Sequence, residues 1–249
     1  WTPISPDLSR TSWEPPATVG VYRQAPTAQF TRRGVIYAIA PSSVHPNLIW
    51  AATDDGLIHV TRTGGTNWTD VTPAALMPWA KVSIVEASHF DPNTAYAAIN
   101  TLRLDDLRPH VLRTRDGGKT WVEIVNGLPA TGVINVVRED PQRRGLLFAG
   151  SEQSVSVSFD DGESWQSLRL NMPATSIRDL AIKDADLLAR THERGFWILD
   201  DISPLRQIPP DIVKSPTFLS TPPTAWRFRW NKNTDTPLPP DEPHAPYPP

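Results

Sequence analysis

The sequence predicts an all-β protein: a β-propeller of four consecutive four-stranded blades, belonging to an incomplete larger propeller, with a proline-rich C-terminal tail. Three observations predict it. An eight-residue frame ending in tryptophan recurs three times, a set of strand-like runs recurs four times, and 27 of the 249 residues are proline. Proline at about 11%, against a usual level of about 5%, argues against long helices.

The frame is Ser/Thr-x-Asp-x-Gly-x-x-Trp. It reads "TRTGGTNW" at 61–68, "TRDGGKTW" at 114–121 and "SFDDGESW" at 158–165. The second copy places Thr114, Asp116, Gly118 and Trp121; the third places Ser158, Asp160, Gly162 and Trp165. The first keeps Thr61, Gly65 and Trp68 but has Thr63 where the others carry the acid. A catalytic group is rarely needed several times in one chain, whereas a turn is needed once per repeat. Each residue type has a folding task. The carboxylate accepts from unpaired turn amides, the hydroxyl adds a local bond, glycine supplies positive φ, and the indole buries a large ring. The frame is therefore expected to be structural.

The strand runs follow in order. First strands are "GVIYAIA" (34–40), "KVSIVEAS" (81–88), "VINVVRED" (133–140) and "IRDLAIKD" (177–184). After a short turn come the second strands "LIWAAT", "AYAAIN", "LLFAGS" and "LLART", then the third strands "LIHVTRT", "HVLRTR", "SVSVSF" and "GFWILD". In the first three repeats the frame leads on to "NWTDVTP", "TWVEIVNGLP" or "SWQSLRLNMP", the expected fourth strand. Trp68 and Trp121 lie 53 residues apart, and Trp121 and Trp165 lie 44 apart, which is the period of a propeller blade. A β-sandwich of many short strands would leave that period unexplained.

These motifs resemble the Asp box, or BNR repeat, of sialidases, xyloglucanases and sortilin-type receptor propellers. "LIWAATDDGLIHVTRTGGTNWTDVTP" and "RTHERGFWILDDISPLRQI" are most similar to large bacterial proteins of the sortilin-like or BNR-repeat glycosyl hydrolase type. The pattern departs at Glu193, where that family often has glycine. The resemblance implies that residues 1–208 are a partial propeller. Residues 1–8 ("WTPISPDL", similar to "NWTDVTP") would end a preceding blade, 9–33 would be an inter-blade excursion and 34–208 the four blades. Residues 209–249, with 12 prolines in 41, would be an extended linker towards a further domain. Within it, Trp226, Phe228 and Trp230 alternate with Arg227 and Arg229, the period of a short strand or a strip laid on the propeller. An extracytoplasmic location and a larger exported protein are also implied.

If the frame turns are structural, ligands should meet the opposite face, where the second-to-third strand loops converge. Those loops offer Asp54 and Asp55, Arg103 and Asp106, Glu152, and His192, Glu193 and Arg194. Acids mixed with arginine and histidine suit hydrogen bonding to a peptide or a carbohydrate. A net charge of -3 gives no electrostatic reason to expect nucleic acid, and no apolar run is long enough to span a bilayer. With no cysteine, thiolate metal sites and cysteine nucleophiles are excluded. The six histidines show no HxH or HExxH spacing, so neither metal nor cofactor is expected. The expected function is a binding scaffold for peptide or glycan. The alternative is a glycoside hydrolase, sialidase-like or xyloglucanase-like, with its catalytic carboxylates partly in further blades; paired-carboxylate hydrolysis needs the two about 5 to 9.5 Å apart, and sialidase chemistry needs a tyrosine nucleophile beside a glutamate.

Overall fold

A computed structural model describes residues 1–11, 17–26, 34–209 and 217–225. Pro15, Pro16 and the alternating Trp226–Trp230 stretch lie outside the described residues.

Four antiparallel sheets follow one another along the chain. The first holds β1 (Ile36–Pro41), β2 (Ile49–Thr53), β3 (Ile58–Thr61) and β4 (Thr69–Asp70). The second holds β5 (Lys81–Ala87), β6 (Ala95–Asn100), β7 (His110–Thr114) and β8 (Val122–Glu123). The third holds β9 (Ile134–Glu139), β10 (Leu147–Ser151), β11 (Val155–Ser158) and β12 (Gln166–Ser167). The fourth holds β13 (Ile177–Lys183), β14 (Asp186–Thr191) and β15 (Phe196–Leu199). Spatial order equals chain order, so each sheet is a meander. β5 packs on β1 and β2, β9 on β5 and β6, and β13 on β9 and β10. First strands therefore gather on the inner side and the sheets fan outward, the arrangement of propeller blades.

The sequence explains which strands sit deepest. β6 and β10, like the shorter β3 and β11, are buried at every residue, because neighbouring sheets pack over them. Their runs "AYAAIN" and "LFAGS" are accordingly continuous rather than alternating. The core divides into three layers, one per sheet boundary. Trp50, Ile58, Val82 and Ala97 fill the first, Tyr96, Val111, Ile134 and Leu147 the second, and Phe148, Val155, Leu180 and Leu187 the third.

The fourth sheet has three strands among the described residues, one fewer than its predecessors. Leu199 stands at the register position of Thr61, Thr114 and Ser158, so no hydroxyl starts a frame turn there. Asp201 instead accepts the amide of Ser203 (3.1 Å), the first residue of the short helix α1 (Ser203–Gln207), and Pro204 lies in its first turn. Proline pre-sets the first helical turn, which turns the chain away from a hairpin.

Candidate functional site

The frame turns spend their polar groups internally. Asp116 Oδ1 accepts from the Thr114 hydroxyl and the Thr120 amide, both at 2.9 Å, while its Oδ2 takes the Thr120 hydroxyl at 2.6 Å. The bonds from Thr120 hold the Asp116 carboxyl down at about 2. Asp160 repeats the pattern with Ser158 (2.8 Å), the Ser164 amide (2.9 Å) and the Ser164 hydroxyl (2.5 Å). Partial burial raises its carboxyl, and the Ser164 bonds outweigh that and lower it. In the first turn Thr63 offers one oxygen, which takes the Asn67 amide at 2.9 Å.

Each turn also clasps a segment before it. Trp121 Nε1 donates to Val71 O (2.8 Å), Trp165 Nε1 to Ile124 O (2.8 Å) and Trp68 Nε1 to Ile4 O (2.9 Å). For Trp121 and Trp165 the acceptor lies three residues past the tryptophan of the preceding repeat, and Ile4 lies three residues past Trp1. An indole donor buried between sheets needs such a partner, and for Trp121 and Trp165 the partner follows the last strand of the neighbouring sheet.

The candidate ligand residues lie at the other end of the sheets, and the structure sorts them into groups. Asp54 accepts the Val35 amide (2.8 Å) and faces Arg103 across the first sheet boundary (3.7 Å). Arg103 also donates to Trp79 O (2.8 Å) and lies over the Trp79 ring, 5.7 Å from its centroid. The long loop carrying Arg103 contains a 3-10 turn, Leu102–Leu104, closed by Asp105 in the left-handed conformation (φ 58). Asp106 turns back into its own loop. Its carboxylate takes Arg108 Nε (2.9 Å) and Nη2 (2.7 Å), and His110 Nε2 lies 3.2 Å away. The Arg108 guanidinium holds the Asp106 carboxyl well below the usual range.

Asp55 is a correction to the sequence reading, because it is fully buried and offers nothing to a ligand. Its Oδ2 accepts the Arg10 amide (2.8 Å), Thr53 Oγ1 donates to Oδ1, and Arg10 Nε returns to the Asp55 carbonyl (2.7 Å). It tethers the segment before the first blade. At the far end, His192, Glu193 and Arg194 are exposed, with His192 Nδ1 and Glu193 Oε1 3.6 Å apart. Glu193 takes φ 71, which explains glycine as the easier residue at that position.

Glu152 belongs to a group the sequence reading had only in part. Its Oε1 accepts Asn135 Nδ2 (2.9 Å) and Arg178 Nη1 (3.0 Å). Asn135 also donates to Ile177 O (3.0 Å), and its Oδ1 receives Asn100 Nδ2 (2.7 Å). Asn100, Asn135, Glu152 and Arg178 thus form one polar strip across the second, third and fourth sheets. The two asparagines are buried, while Arg178 keeps 40% of its side chain exposed. The available signal was asparagine inside "AYAAIN" and "VINVVRED", since asparagine is depleted in strands.

Among the described residues, no group of three His, Asp or Glu side chains is disposed to hold a metal ion. No helix there is long and apolar enough to cross a membrane.

Fold and sheet order define the chain as a β-propeller protein, and solved structures agree. YCF48 bound to a D1 peptide matches at TM-score 0.52 and 18% identity, over 67% of this chain and 51% of that one. The GH74 xyloglucanase from Xanthomonas campestris matches at TM-score 0.53 and 13% identity, over 66% and 29%. The β-propeller domain of Cps50 (Swd1) from Myceliophteria thermophila matches at 0.51 and 14%, over 69% and 55%. The chain spans about half of YCF48 and of the Swd1 domain, and under a third of the xyloglucanase. No protein-family model and no curated protein matches it.

Proposed function

We propose that the chain is a binding scaffold, part of an Asp-box propeller of the sortilin-like or bacterial BNR-repeat type within a larger exported protein. Its ligand is a peptide or glycan segment, taken on the face of the second-to-third strand loops. The observation that carries this reading is the strip Asn100–Asn135–Glu152–Arg178. Buried amides fix its acid and leave part of a guanidinium open. Arg103 beside Asp54 and Trp79 adds a second cation with an aromatic neighbour on the same face. Such sites orient a polar ligand with few, fixed donors. YCF48 with its bound peptide supports peptide recognition on this fold.

The glycoside hydrolase alternative needs an acid and a partner carboxylate facing one bond. The held carboxylates weigh against it. Asp54 and Glu152 face arginines, Asp106 is held ionised by Arg108, and Asp55 is buried. Tyr96 is excluded as a sialidase-type nucleophile. Tyr96 is buried, and its hydroxyl donates to Asp161 Oδ1 (2.5 Å); burial, then Glu139 and Asp161, push the phenol up. The test exposes the protein to panels of extended peptides and of β-glucan and sialylated oligosaccharides, reading both binding and product release. Saturable binding without turnover is expected. Turnover of any glycan would replace this reading with the hydrolase.

A further inference from the structure

The four first strands share an irregularity. In each, the register against the second strand slips by one residue at the same place, leaving Tyr37, Ser83, Asn135 and Arg178 as the extra residues. A bulge of this kind bends the strand and re-aims the side chain of the extra residue. All four are hydrogen-bonding residues, and each follows an apolar one, Ile36, Val82, Ile134 or Ile177. The inner pair is buried and holds the structure. Ser83 donates to Ala98 O (3.0 Å), and Asn135 donates to Ile177 O (3.0 Å), the carbonyl just before the next bulge. The outer pair is exposed. Tyr37 keeps 52% of its surface open, and Arg178 sits at the far end of the Asn100–Asn135–Glu152 strip.

Lys81 links Tyr37 to that strip. It pairs with Asn100 across β5 and β6, and its ammonium lies over the Tyr37 ring, 3.7 Å from the centroid. A ring beneath an ammonium steadies it without neutralising it. On this face Arg103 faces Asp54, Arg108 faces Asp106 and Arg178 faces Glu152, whereas Lys81 faces no carboxylate among the described residues. An uncompensated positive charge therefore stands at the opposite end of the strip from Arg178. We propose that Lys81 on Tyr37 is an anion subsite that takes an acidic side chain of an extended peptide, and that the peptide crosses the bulged strands from there to Arg178. The inference rests on the scaffold reading above and narrows its ligand to an acidic peptide. Two observations favour peptide over glycan. The rings on this face, Tyr37 and Trp79, each have a cation over them, and Trp79 is buried, so the surface presents positive charge where a sugar needs an open aromatic face. The bulged positions also come one per sheet, a line that suits a linear chain. Lys81 and Arg178 stand two sheets apart, at most roughly 20 Å, which an extended chain covers in about six residues.

Matched peptides of about twelve residues, twice the expected contact, test it by fluorescence polarisation against the full 249-residue chain. Within each pair one position carries glutamate or glutamine and the rest is identical. The tightest binders should carry glutamate and should weaken about tenfold on its replacement by glutamine, because a charge-assisted bond is lost. Lys81→Gln should bind both members equally, with the affinity of the glutamine peptide on wild type. Lys81→Arg should restore the preference, which separates a lost charge from a lost fold. Tyr37→Leu should reduce the preference to about threefold by freeing the ammonium, and Tyr37→Phe should keep it whole. Equal affinity of glutamate and glutamine peptides for wild type would overturn the proposal and leave the scaffold reading standing. A preference that survives Lys81→Gln would put the anion elsewhere and overturn it too. Binding of sialylated oligosaccharides without binding of acidic peptides would overturn the peptide assignment. Absence of all peptide and glycan binding would overturn both readings.

Discussion

Gly65 faces the carbonyl of Ile4 so closely that a Cβ on it would lie 2.4 Å from that oxygen. The same glycine takes φ 104, and its turn sends Trp68 Nε1 to the same carbonyl. Glycine and tryptophan of one turn therefore grip one residue of the preceding segment. The relation repeats at Gly118 against Val71 and at Gly162 against Ile124. The recurring frame is a clasp between neighbours as well as a hairpin turn.

Gly65→Ala should consequently be the most damaging of the three glycine substitutions. A backbone oxygen cannot swing away, whereas the Cδ1 tip of Ile124 facing Gly162 can move. Left-handed strain and the clash together should cost about 2 kcal/mol or more. Urea unfolding of the three alanine variants checks the order. A Gly65→Ala protein as stable as Gly162→Ala would show that the first clasp carries no weight.

The missing acid at Thr63 makes a second expectation. Thr63→Asp should recreate the bonds seen at Asp116, to the Thr61 hydroxyl and the Asn67 amide, and stabilise by about 0.5 to 1.5 kcal/mol at neutral pH. The pH dependence has a definite sign. Asp116 is held at about 2 in the fold, below its ordinary 3.8. Its contribution is therefore present above about pH 4 and is lost as pH falls towards 2. Asp116→Asn should be less stable than wild type at pH 6 and indistinguishable from it near pH 2. Thr63→Asp should show the mirror image. Melting temperatures between pH 2 and 6 decide, and a pH-independent difference would remove the carboxylates from the account.

The repeat, the strand runs and the turn chemistry were legible because each rests on local residue types. Strand length was not. "TWVEIVNGLP" suggests a long fourth strand, yet β8 ends at Glu123. The next carbonyl, Ile124 O, is taken by the tryptophan of the following blade, a partner 41 residues away. Asp55 failed for the same kind of reason. "DDG" reads as a solvated turn, and what buries its second acid is Arg10, 45 residues upstream. Asn100 and Asn135 escaped notice because their role is shared between blades, and neither run alone reveals the other.

Asp55→Ala tests that correction. It should leave the Arg10 amide and the Thr53 hydroxyl without their acceptor in a buried place, costing about 1 to 3 kcal/mol. It should also expose the Arg10 bond to trypsin. Ligand binding, measured below the new melting temperature, should be unaffected. A stable variant with lost binding would return Asp55 to the ligand face.

Arg178 should behave in the opposite way. Its guanidinium is partly exposed and bonds only Glu152 among the described residues, so Arg178→Ala should change stability by no more than about 0.5 kcal/mol. Asn135 still holds Glu152 when the arginine is gone, which keeps the site's frame. Binding to whichever peptide or glycan the panels identify should nevertheless weaken about tenfold or more, because a fixed charged donor is removed. Asn135→Leu gives the contrasting case. It strands the Asn100 amide and Ile177 O inside the core, so stability and binding should fall together. Calorimetric titration beside thermal melts separates the two. Unchanged affinity in both Arg178→Ala and Arg103→Ala would move the ligand site off this face.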